Sequence, residues 1–122
     1  MTERNRLIEL AKVWRGAGHV AGSAATIALV VAVTDDARRR ESVAYDLGQA
    51  TMSIMLAAAD LGLGTAHAAV ADQDLARQVL GLPPERLCAY LVAVGHPAGR
   101  PLRPIARPDR RPFEDVVHRE QW

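Results

Sequence analysis

Cysteine is nearly missing from this sequence: Cys88 is the single one in 122 residues. One thiol closes no intramolecular disulfide and supplies no cysteine-based zinc site. Long hydrophobic runs are missing as well. The longest apolar stretch free of charge, Val20 to Thr34, carries Gly22, Ser23 and Thr26. It falls short of the roughly 20 residues that cross a bilayer, so no membrane span is expected. Neither sign of charge is in excess. Fifteen basic residues stand against 14 acidic ones, a formal charge of +1, which disfavours a globally basic nucleic-acid binder. The charged opening, Met1 to Arg6, leads into no long apolar segment, so no secretion signal is expected. The histidines, His19, His67, His96 and His118, show no metal-ligand spacing, and no metal is expected.

What remains is 49% hydrophobic and 24% charged, the balance of a folded globular chain. The length suits one domain. The expectation is a soluble, cytoplasmic protein with a single domain over residues 1–122.

Periodicity divides the chain. From Glu3 to Trp14, Leu7, Leu10, Ala11 and Trp14 recur at helical spacing, and Gly16 and Gly18 stop the helix. Ala25 to Val33, ATIALVVAV, is short, β-branched and apolar on both faces, which predicts a strand covered on both sides. Ala37 to Glu41 reads as a charged, exposed connection. Ser42 to Leu61 is apolar nearly all round, with Asp46, Gln49, Ser53 and Asp60 as a narrow polar stripe. Such a helix is expected at the centre of the core, and its polar stripe must face something polar. Gly62-Leu63-Gly64 breaks it. Thr65 to Val70 reads as a short strand of small residues. Asp72 is the candidate N-cap of a helix that ends at Gly81 before Pro83-Pro84. Leu87 to Val94, LCAYLVAV, is another strand apolar on both faces, with Cys88 as an inert core thiol.

Composition shifts at Pro97. Five of the seven prolines and five arginines fall between Pro97 and Pro112, a segment that forms no core of its own. The amphipathic stretch Phe113 to Val117 follows. Alternating helices and strands predict an α+β (α/β-like) fold. The sheet is expected to be mixed and flanked by helices, with a buried central helix and an extended tail over 97–122.

Three linked pieces carry a family resemblance. They are DLGQATMSIMLAAADLGLGTAH (Asp46 to His67), LARQVLGLPPERLCAYLVAVGHP (Leu75 to Pro97) and RRPFEDVVHREQW (Arg110 to Trp122). In this order the chain resembles the C-terminal part of the FMN-dependent nitroreductase family. The resemblance implies a nitroreductase-like fold, FMN as cofactor and NAD(P)H as electron donor. It implies a nitroaromatic, quinone or similar small-molecule acceptor. It also implies a homodimer with the flavin at the interface and tails crossing between subunits. The flavin carries the chemistry, so no catalytic side chain is expected.

The resemblance further implies cofactor-binding positions. Gly64 and Thr65 lead a strand along the flavin ring, with His67, Ala68, Ala69 and Val70 beside it. Arg107, Arg110 and Arg111 are the phosphate candidates, because a guanidinium fork suits a phosphate. On chemistry alone, Gly62 and Gly64 are a helix cap and turn, His67 is a lone histidine, and the arginines are a solvated segment. Two departures stand out. The family's Arg-Ser-x-Arg stretch and its Asn-bearing Pro-Ser segment do not occur here. The sequence therefore reads as N-terminally short, or as starting from a mis-assigned Met1. Ala69 and Val70 also stand where many relatives place Gly-Gly or Glu-Gly, so their side chains are expected to crowd a planar ring. The alternative is a flavin-free, non-enzymatic module for dimerisation or small-ligand binding.

Overall fold

The computed structural model describes residues 1–99 and 108–122. Its sheet forms where β-branched residues concentrate. Strand β1 (Ala25–Ala32) and strand β3 (Arg86–Gly95) pair antiparallel, from Ala25 opposite Val94 to Ala32 opposite Arg86. Strand β2 (Gly64–Ala69) pairs antiparallel with the other side of β3, from Gly64 opposite Gly95 to Ala69 opposite Tyr90. The order is β1-β3-β2. Among the described residues the sheet is therefore wholly antiparallel, a correction to the expected mixed sheet. Every strand here runs against its hydrogen-bonded neighbour.

The register of β1 on β3 shifts between Leu29 and Val30, whose partners are Tyr90 and Cys88. Ala89 is the extra residue of a β-bulge. The bulge resets the alternation of β3, so Cys88 joins Leu91 and Ala93 on one face.

That face carries the core. Helix α1 (Arg4–Leu10) brings Leu7 and Leu10, and the 3-10 turns Ala11–Val13 and Gly18–Gly22 bring Val13 and Val20. Helix α3 (Gln73–Leu80) brings Ala76. All are buried with Ala68, Cys88 and Leu91. Thr26, buried beside them, hydrogen-bonds the Ser23 hydroxyl at 3.0 Å. The helix signals hold. The Asp72 carboxylate accepts from the Leu75 N–H at 2.9 Å as N-cap of α3. Gly81 closes it at φ +69°, a left-handed conformation that favours glycine.

The opposite face is covered in part by helix α2, which spans Ala37–Asp60. It begins earlier than expected. The Asp36 carboxylate accepts from the Arg39 N–H at 3.2 Å, so Ala37 to Glu41 forms its first turns rather than a connection. The expected burial of this helix is also corrected, since Ala58 is its one buried residue. Tyr45, Met52, Leu56 and Leu61 are 72%, 56%, 63% and 74% exposed. One stripe of the helix rests on the sheet, and its second apolar face has no partner within the described chain. Asp46, Gln49 and Ser53 are exposed too. Beyond Pro97, residues 108–122 are exposed and carry a 3-10 turn at Phe113–Asp115.

Candidate functional site

Strand β2 is an edge, and the ladder fixes which of its backbone groups are free. The Val94 carbonyl accepts from the Ala24 N–H at 3.0 Å, so Val94 points its backbone groups toward β1. Backbone direction alternates along a strand. Ala93 and Leu91 therefore turn theirs toward β2, where Ala66 and Ala68 are their partners. The N–H and C=O groups of Thr65, His67 and Ala69 then lie on the outer edge, unpaired by the sheet.

Side chains alternate as well. Ala68 points into the core at 0% exposure. His67 and Ala69 stand on the α2 side, opposite Val92 and Tyr90. Val70, just past the strand, packs its side chain against the core. Its Cβ branch is drawn inward, away from the free edge.

His67 and Tyr90 share a cleft with Leu47, Gly48, Met52 and Met55 of α2, about 340 Å³ in volume. Its lining is mostly apolar. His67 makes no side-chain hydrogen bond among the described residues and stands in no triad-like arrangement. Tyr90, Met52 and Met55 had no signal in the sequence as site residues, because their meeting depends on the bulge at Ala89 and on how α2 crosses the sheet.

The site residues expected from sequence thus fall into two groups. Gly64, Thr65, His67, Ala68, Ala69 and Val70 are brought together on β2 and its exit. Arg110 and Arg111 are exposed on the tail. Ion pairs among the described residues join Arg6 to Glu3, Lys12 to Glu9 and Arg77 to Asp74, and none engages either tail arginine. Arg107 lies outside the described residues. Among those residues no group of three or more His, Cys, Asp or Glu side chains is placed to hold a metal ion, and no helix is long and apolar enough to cross a membrane.

Cys88 is fully buried. Burial without a compensating charge pushes its thiol up to about 11, so it is a packing group rather than a nucleophile.

The family model described as the nitroreductase family matches residues 3–96, well over half of the sequence. The chain belongs to the nitroreductase family. Solved structures agree on the fold of this nitroreductase-family chain. An FMN-dependent nitroreductase from Clostridium difficile superposes with a TM-score of 0.77 at 17% identity, covering 100% of this chain and 73% of that one. A nitroreductase family protein from Streptococcus pneumoniae gives 0.77 at 19% identity, with 96% and 76% covered. An NADPH:FMN oxidoreductase from Vibrio harveyi, solved with NAD+, gives 0.73 at 23% identity, covering 100% of this chain and 57% of its own. At such identities the likeness concerns fold alone. No curated protein matches the sequence.

Proposed function

We propose that the chain is an FMN-dependent oxidoreductase that passes electrons from NAD(P)H to a nitroaromatic, quinone or similar acceptor. In this reading residues 1–122 are one domain working as a homodimer, with 97–122 as an arm. Family membership supports it. The observation that carries it is the free edge of β2, where the Ala69 N–H points outward and flanking side chains turn to either face of the sheet.

These residues suit a planar cofactor. Small residues leave the edge of the strand open, and the Val70 side chain is withdrawn into the core. FMN, when bound, supplies hydride acceptance and release. The chain's own residues do the rest. The outward N–H groups of Ala69 and His67 would donate to a ring heteroatom, and a backbone donor held by a strand is preorganised for that task. Arg107, Arg110 and Arg111 would meet the phosphate, whose charge a guanidinium matches bidentately. The apolar cleft beside His67 would exclude water. The exposed face of α2 would be covered by a second copy of the chain, closing the site from that side. No side chain is required as acid or base.

Titration of the purified protein with FMN tests this reading. Flavin fluorescence should be quenched at micromolar protein. Absence of quenching at high micromolar protein removes the flavin reading and leaves the flavin-free module.

A further inference from the structure

Strand β2 stops pairing at Ala69, opposite Tyr90. One side chain takes over where the strand ends. The Gln73 carboxamide, on the first residue of α3, donates from Nε2 to the Cys88 carbonyl at 2.8 Å. Its Oε1 accepts from the Cys88 N–H at 3.1 Å. The same Nε2 donates to the Val70 carbonyl at 3.3 Å. Both backbone groups of Cys88 are therefore satisfied by one amide, as a paired strand residue would satisfy them. The amide stands in for the next residue of β2 at the position where the bulge at Ala89 shifts the ladder. The turn itself is held from the other side. The Val13 carbonyl accepts from the N–H groups of Ala71 and Asp72 at 3.0 and 2.9 Å.

We propose that Gln73 is a positioning residue that fixes the exit of β2, and through it the outward N–H of Ala69, for the flavin ring. The chemistry requires a carboxamide, because the three contacts need one acceptor and two donor hydrogens on one planar group. Leucine fills a similar volume and leaves three partly buried backbone groups without partners. Glutamate keeps the acceptor for the Cys88 N–H but turns a carboxylate oxygen toward two carbonyls.

This inference rests on the flavin reading for its function, and its structural half is measurable without flavin. In the ligand-free protein, Gln73→Leu should speed amide hydrogen exchange at Ala68, whose N–H faces β3, relative to amides of α1. With flavin, the same variant should weaken FMN and riboflavin alike by about tenfold, the usual scale for removing a group that orients a ligand-contacting one. It should also shift the visible absorption band of bound flavin. Val20→Ala is the control. It loosens the same core but leaves the Gln73 amide and its three bonds in place, so it should lower the melting temperature and leave that band in place. Should Gln73→Leu fail to fold, Gln73→Glu takes its place with the same expected changes. Wild-type exchange at Ala68 in the folded variant overturns the inference. So does wild-type flavin affinity and absorption, or an equal band shift in Val20→Ala. If the wild-type protein takes up no flavin, the functional reading fails and the proposal for the cofactor falls with it, whatever the exchange result.

Discussion

Replacing Leu56 with glutamate separates folding of one protomer from association of two. Leu56 lies on α2 and is 63% exposed. Within a protomer it buries little, and leucine and glutamate have similar helix propensities. Folding stability should therefore move by no more than about 0.5 kcal/mol, the usual range for a surface site. Association is different. Full burial of a leucine is worth about 1.5–3 kcal/mol. Covering the portion left exposed here should contribute roughly 1–2 kcal/mol per protomer by the same scale. A symmetric interface uses the residue twice, so the dimer should lose about 2–4 kcal/mol, roughly 30- to 700-fold in affinity at about 1.4 kcal/mol per decade. A carboxylate forced into an apolar contact adds to the loss. Sedimentation equilibrium across a concentration series reads the dissociation constant, and circular dichroism reads the fold. The reasoning is refuted if the wild-type chain is a stable monomer at tens of micromolar, or if the variant associates as tightly as the wild type.

Two further outcomes are expected. Arg110→Ala should weaken FMN by roughly 10- to 150-fold, since a hydrogen bond to a charged group is worth about 1.5–3 kcal/mol. Riboflavin, which lacks the phosphate, should bind the variant as it binds the wild type, and equal losses for both ligands would point to general destabilisation instead. Cys88 should make the protein lose stability in alkali. Its folded value is raised to about 11 from 9.0, so its contribution is fully present below pH 9 and is lost as the pH rises through 11. The loss should reach about 3 kcal/mol by the linkage relation. Urea unfolding at several pH values reads it, and a slope between pH 9 and 11 that persists in Cys88→Ala would assign the effect to another group.

The helices and strands were legible where local chemistry decides them. Asp72 caps α3 and Gly81 ends it because both act on their own neighbouring backbone. ATIALVVAV and LCAYLVAV are strands because β-branched residues pack well on a pleated surface. The fate of α2 was not legible in the same way. From Ser42 to Leu61 it is apolar nearly all round, a pattern that predicts burial. It does not say whether the chain itself or another molecule supplies the cover. Strand direction was likewise hidden, since a run apolar on both faces is compatible with parallel or antiparallel pairing. The candidate site was half legible. Gly64 to Val70 came from a sequence resemblance, and their arrangement along an open edge came from the ladder. The Gln73 clamp joins residues 15 positions apart, and a glutamine at the start of a helix gives no sign of which backbone it will meet. The tail arginines stay as the resemblance left them, because nothing in the described segment sets them against β2.

The bulge at Ala89 makes the parity of β3 a matter of one residue. Upstream of it, Cys88 falls on the core face, and downstream of it Leu91 and Ala93 do. Deleting Ala89 would put Cys88 two positions before Leu91, so both keep the core face. Leu29 already faces Tyr90 and Val30 already faces Cys88, so no partner has to slip and the Gln73 amide keeps its bonds. What the strand would lose is the local bend and added twist that a bulge brings. A single-codon deletion at Ala89 should therefore fold, with its cost confined to how β1 and β3 twist past one another.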